Sequence, residues 1–508
     1  MTAVTEAPAV APFPAPTGDA RRAVLALARV EARRLLLHPL VLAALAAYLT
    51  VLLWPGGEPE DAYPVLQDID RETQLGHVLL GPVVMIAANL AVLRSHRRGT
   101  DGHFAVLVLP PWQRTCAHLL SVLPTVLVTA LIVTGQFTAG ALKPGAVGRG
   151  SVFELLTGPL LILVCAVLGV LLGRVAGSAL VAPLAAVALL AGTFIFAASP
   201  EPGSWLRSVS PVVVDDGGQP LPSDLLGRPA GWHALYLLAL SVLAAAGAVL
   251  VSGGRTRAVR VTAVASLGAV VATVVLQGMA PSDAVREARE VATRDPAAVQ
   301  DCERRGATTY CAFPEFTPWI DEWALVTDKA RSLASGPEAT RALTVRQKVA
   351  ALDGPSGMWE LSPAAPGELT VSTAWGGERE LEFAASVARG LVVGHERYGG
   401  AHCDARGVLM VWLAIRATRD GATMFERTGD NYNSPGVIQA PVSAISLRGR
   451  EYAVVERLLA EPRAEVDRKV KASWAELSAP GTTTDRAAAL LGVTAPAESA
   501  DDRERMCA

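Results

Sequence analysis

Phe153–Gly173 reads FELLTGPLLILVCAVLGVLLG, with its one charge, Glu154, at the very start. A helix that crosses a bilayer needs about 20 mostly apolar residues, and this stretch supplies them. Six further runs share the pattern: Pro39–Trp54, His77–Leu93, Leu119–Phe137, Ser178–Ala198, Trp232–Ser252 and Val261–Met279. The first is short, and Leu35–Leu37 could extend it. Each lacks charge across its centre, which the buried helices of a soluble protein do not achieve seven times over. Composition agrees: of 508 residues, 51% are hydrophobic and 18% charged, against about a quarter charged in a soluble domain. The expected fold is mainly α: a polytopic membrane protein with about seven transmembrane helices and a helix-dominated α/β C-terminal extracellular domain. Its parts are a disordered tail (1–20), an amphipathic elbow helix (21–38), the spans (39–280) and the outer domain (281–508).

Arginine and lysine in short loops set orientation. One side carries Arg21, Arg22, Arg29, Arg33 and Arg34, then Arg94, Arg97, Arg98 and Arg114, then Arg174, then Arg255, Arg257 and Arg260. The other has Arg71, Lys143, Arg149, Arg207 and Arg228, and its first loop is acidic, from Glu58 to Glu72. The first side is therefore expected in the cytoplasm of a plasma-membrane protein. An odd span count then sends the C-terminal region outside. Met1–Asp19 has no Lys or Arg and so lacks the basic start of a secretory signal, leaving the first span to direct insertion. The net charge of −3 offers no basic excess for nucleic acid.

Cysteines bear on the same question. Cys302 and Cys311 bracket a Gly-bearing run and are expected to close a disulfide loop, which persists in an oxidising compartment. Two unrelated thiols are the alternative; zinc lacks a CxxC or paired histidines. Cys165, inside a span, and Cys116 read as lone apolar thiols. Cys403 is left with Cys507 as its one remaining outer candidate, a buried free thiol being the alternative.

Arg21–Leu37 (RRAVLALARVEARRLLL) separates Val24, Leu27, Val30 and Leu35 from Arg22, Arg29 and Arg33 at helical spacing. That pattern suits a helix lying in the membrane interface before Pro39. Between the second and third spans the chain continues RSHRRGTDGHFAVLVLPPWQRTCAHLL from Arg94. Gly99 permits a sharp turn, and Pro110 and Pro111 end the apolar segment Phe104–Leu109. This loop, with the elbow and six-span organisation of roughly residues 20–280, resembles the permease subunits of ABC-2-type transporters. The matching positions are Arg98, Gly99, Thr100, Leu107, Leu109, Pro110 and Arg114. The acidic residue that usually precedes Gly-Thr is replaced by Arg97–Arg98, and a frequent Lys before the third span by His118.

The resemblance implies a loop that docks on a separate ATPase subunit, a second permease half (identical or different) and an exporter driven by ATP. No Gly-x-x-x-x-Gly-Lys-Ser/Thr run occurs in the sequence, so the chain has no P-loop of its own; ATP and magnesium would sit on the partner, and no cofactor or metal is expected here. Polar residues at span depth are pathway candidates, chiefly Asn89 and Gln136, with Thr129, Thr134 and Thr193 beside them. None is charged, so an ion relay is missing.

In the C-terminal region, Phe313, Phe316, Trp319 and Trp323 are expected to pack as core. Leu369–Trp375 reads as a strand; Glu380–Val393, Ala405–Arg419, Glu451–Ala475 and Thr484–Leu491 read as helices. His395, His402 and Cys403 fall close together without forming a His-Glu-x-x-His motif, and no Gly-x-Ser-x-Gly elbow exists, so the chain is not expected to be an enzyme. A membrane-anchored extracellular binding or sensory module without transport activity is the alternative function.

Overall fold

The computed structural model describes residues 17–53, 63–99, 109–197, 205–213, 220–349, 361, 364–395, 401–430, 437–442 and 444–499. Five of its helices are long and apolar enough to cross a membrane: Leu66–Val92, Pro111–Ala141, Val152–Val175, Ala230–Val251 and the run beginning at Arg257. A sixth is reached if Ala20–Leu36 and Pro39–Leu52, bent by 52°, count as one span. Every apolar run read from the sequence is helical, yet two fall short of the seven expected. Pro39 starts a new helix of only 14 residues, about 21 Å at 1.5 Å per residue, against a hydrocarbon layer of about 30 Å. Val181–Ala197 has 17 residues and is likewise short.

Val152–Val175 is the centre of the bundle, packed on Leu75–Val92, Leu123–Ala141 and Ala230–Val251. Small residues set its closest approach. A Cβ on Gly169 would lie 2.2 Å from the carbonyl oxygen of Met85, and one on Gly173 would lie 3.0 Å from Val92, so the backbones meet where side chains are absent. Arg257–Gly278 is mostly uncovered, with Val264, Val271 and Val275 exposed, as suits a face toward lipid.

One end of the bundle is rich in arginine; the other carries the C-terminal domain. At the arginine-rich end the elbow helix Thr17–Leu36 lies along Pro111–Ser121 and buries Ala28, Glu31, Ala32 and Leu35. Those positions form one helical face, although Val30, expected on the apolar side, is exposed.

The domain follows the helix Asp283–Arg294, whose N-cap Ser282 accepts a hydrogen bond from the Val285 amide. Its first sheet has the order β1 (Asp301–Arg305), β2 (Thr308–Ala312), β3 (Leu343–Gln347) and β4 (Glu368–Val371). β1 and β2 form an antiparallel hairpin that turns at Gly306 (φ 57°), whereas β2–β3 and β3–β4 are parallel. Cys302 and Cys311 are register partners across the hairpin and are disulfide-bonded. A smaller sheet has the order Ala401–His402, Ile445–Leu447, Val437–Ile438.

Helices dominate the rest. Ala405–Ala417 is buried on almost every side, Val408, Met410, Val411 and Leu413 being fully so, and it runs through the core because an all-round apolar helix has no face for water. Phe313, Phe316, Trp319 and Trp323 are core residues as well. The stretch read as one helix over Glu451–Ala475 is split into Gly449–Ala460, Arg463–Ala472 and the start of Trp474–Leu477; the first break falls at Pro462, which has no N–H to donate to the preceding turn and whose ring clashes with that turn's carbonyl.

Removing the disulfide with Cys302→Ser should lower domain stability by about 2–3 kcal/mol, the loop-closure value for a ring of roughly ten residues. Thermal unfolding with and without reductant checks this: because Cys403 is disulfide-bonded as well, wild type and variant should differ without reductant and coincide when both are reduced.

Candidate functional site

The arginine-rich end holds the first candidate. Leu75–Val92 gives way to a short turn, Arg94–Arg97, after which Arg98 is exposed and Gly99 sits at φ 62° with open space where a Cβ would be. Thr100 and Leu107 lie outside the described residues. The chain returns at Leu109, and Pro110 and Pro111 open the helix Pro111–Ser121, which carries Arg114. Pro is suited to a first turn because its missing N–H has no helical partner there.

Both ends of this loop are fastened to the elbow helix. Glu31, 7% exposed at its side chain, takes Nη1 of Arg94 at 2.9 Å from each of its carboxylate oxygens and Nη1 of Arg34 at 3.0 Å. A carboxylate so far removed from water persists because two guanidiniums meet it. On the far side of the loop, Thr115 and Ser252 hydroxyls lie 2.7 Å apart, and Gly254 lets the next loop close on Trp112. Elbow, loop ends and the 252–254 turn therefore form one connected block. The basic residues were legible in the sequence; Glu31 was passed over, although a lone acid within the basic run Arg21–Arg34 is the kind of signal that points to a cationic partner.

The second candidate is the junction at the domain end. Val65 and Val147 bridge two bundle loops as a parallel β contact, and both enter the domain core with Leu225. Around them is a polar network. Glu315, 9% exposed at its side chain, accepts from the Ser223 amide at 2.9 Å and its hydroxyl at 3.0 Å, and from Gln67 Nε2 at 3.5 Å. Gln67 donates to the Leu221 carbonyl at 2.8 Å and accepts from the Arg149 amide at 3.2 Å. Arg228 reaches the Gln67 carbonyl at 2.6 Å and lies 3.6 Å from buried Asp70, which accepts from the Ser151 amide at 2.7 Å. Trp319 donates to the Gly145 carbonyl at 2.7 Å, and Arg289 caps the Leu225 and Leu226 carbonyls. Arg419 bonds the Tyr63 hydroxyl at 3.0 Å and pairs with Glu322. Burial, and then Glu322, raise the Tyr63 phenol above its ordinary pKa, with Arg419 acting in the opposite sense.

The two leading pathway candidates have different settings. Asn89 is buried between helices, its amide 3.5 Å from the Gly169 carbonyl. Gln136 accepts from the Tyr48 hydroxyl at 3.0 Å and lines a cavity at the domain end. Thr129, Thr134 and Thr193 each bond a carbonyl of their own helix. Sequence reading passed over His77, whose Nδ1 lies 2.7 Å from the Thr73 carbonyl, and the His233–Gln277 pair at 2.9 Å.

In the domain, Cys403 is disulfide-bonded to a partner outside the described residues, which removes it as a metal ligand. Burial, with Arg389 beside it, pushes His402 down to about 4. Among the described residues no group of three or more His, Cys, Asp or Glu is placed to hold a metal. Compared with known protein families, curated proteins and solved structures, the chain matches none.

Proposed function

We propose that this chain is the membrane-spanning permease subunit of an ATP-driven exporter of the ABC-2 type, coupled through residues 94–118 to a separate ATPase subunit and paired with a second permease half. The observation that carries the reading is the Glu31–Arg94 fastening. A loop that transmits a push from an ATPase must move as one body with the spans behind it, and here both its ends are tied to a single elbow helix bent 52° from the next helix. In this reading the arginine-rich end faces the cytoplasm, and the disulfide-bearing domain stands outside, where Cys302 and Cys311 stay oxidised. The partner ATPases close on ATP, displace Arg98 and Arg114 together with the elbow, and open the pathway between the two membrane halves.

Affinity purification of the tagged full chain from its native membrane, followed by mass spectrometry, tests this. A P-loop ATPase should co-purify, and Arg98→Glu combined with Gly99→Pro should cut its recovery at least about tenfold, a loss of some 1.4 kcal/mol. Recovery without any ATPase, or unaltered recovery with the variant, removes the exporter reading. The former result favours the second one, a membrane-anchored binding module, for which the domain's own extensive core speaks.

A further inference from the structure

A cavity of about 720 Å³ lies where the domain meets the helix ends, within the roughly 300–1,000 Å³ of ligand pockets in general. Its floor is apolar, formed by Leu49 and Leu52 from the end of Pro39–Leu52 and by Ile132, Gly135 and Ala139 from the end of Leu123–Ala141. Gly135 and Ala139 are exposed, so the floor opens sideways toward the lipid-facing surface of the bundle. Gln136, held by the Tyr48 hydroxyl, puts a polar side chain at that level. Above it the domain supplies Trp375, edge-on to Tyr63 with ring centres 6.5 Å apart.

The rim is charged in both senses. Asp68 and Glu72 stand one helical turn apart on Leu66–Glu72, while Lys143 and Arg379 come from two other elements. Asp68 also faces Arg228 at 3.5 Å, and Arg379 faces Glu382 at 2.8 Å. The rim is thus balanced, and a head of zero net charge enters without leaving a charge in excess, whereas an anionic head does not. An apolar floor at the end of two apolar helices, beneath a rim of mixed charge, matches an amphiphile standing as lipids stand in a leaflet.

We propose that this cavity binds one zwitterionic phospholipid, its acyl chain along the Leu49–Ala139 floor, its phosphate toward Lys143 and Arg379 and its ammonium toward Asp68 and Glu72. This rests on the chain lying in a bilayer and not on the exporter reading.

Native mass spectrometry of the full chain in detergent, supplied with palmitoyl-oleoyl phosphatidylethanolamine or the corresponding phosphatidylglycerol, tests it. Wild type should retain one phosphatidylethanolamine and bind phosphatidylglycerol at least about tenfold more weakly. A Cβ on Gly135 meets no atom within 4 Å, so Gly135→Trp projects into free space and should weaken retention by a similar factor. Ala139→Trp, one turn on, should do the same. Gly268→Trp adds equal bulk on the lipid-facing helix, again with nothing within 4 Å, and should retain the lipid. Retention by both cavity variants, equal loss in Gly268→Trp, or equal binding of phosphatidylglycerol overturns the proposal.

Discussion

Glu315→Ala should free the C-terminal domain from the helix ends while leaving the domain folded. Glu315 belongs to the domain and reaches across to the bundle: its Oε2 takes the Ser223 amide and hydroxyl, and Gln67 adds its side-chain amide. Arg149 stands 3.6 Å from its Oε1. Truncation leaves a buried amide and a glutamine short of partners, each costing about 1–3 kcal/mol, and relaxation of the exposed Arg149 recovers little. We expect a net loss of about 2–3 kcal/mol at the junction, or roughly thirty- to 150-fold faster hydrogen exchange in residues 220–229 and 145–151. Exchange around Trp323 should stay slow. Glu315→Gln keeps an acceptor oxygen and should fall between. If the junction exchanges no faster in the alanine variant, this network does not fasten the two parts, and the apolar contacts of Val65, Val147 and Leu225 carry the junction alone.

Trp323→Ala should unfold the domain more than any exposed change can. The side chain is fully buried, with its ring 6.3 Å from that of Trp375. Its indole N–H makes no hydrogen bond among the described residues, so the effect comes from packing. Large-to-small changes of this kind cost about 3–5 kcal/mol, because surrounding side chains refill the space only in part. Leu325, two residues on, is 63% exposed, and Leu325→Ala should stay within about 0.5 kcal/mol. Paired thermal unfolding of the two variants measures the contrast; similar melting shifts would contradict the core assigned here.

The bundle was legible because apolar run length is a local property. Phe153–Gly173 became Val152–Val175, and Trp232–Ser252 became Ala230–Val251. The last span begins at Arg257 and not Val261, since Thr256 caps the helix through the Val259 amide, a signal that hydropathy ignores. The hairpin at Cys302 was missed for a physical reason. Asp301–Arg305 is an exposed edge strand, and such a strand has no buried face to imprint alternation on its sequence. The split at Pro462 could have been read and was not.

The candidate sites were legible as members but not as assemblies. Arg94, Arg98 and Arg114 stood out by charge, and Gln136 by polarity in an apolar run, whereas Glu31 and Tyr48, their partners across the fold, did not. Gln67 and Glu315 are 248 positions apart, and no spacing rule joins residues at that distance.

The sharing of Val65, Val147 and Leu225 with the domain core also orders assembly in time. A ribosome delivers the three loops that carry them long before the domain exists, so each emerges with an apolar residue still awaiting its cover. Domains generally fold as units, from the N-terminus onward during synthesis, but these loops reach their final state only after the last third of the chain has arrived. Docking of the newest part therefore completes the oldest, and the membrane bundle is finished from its C-terminal end.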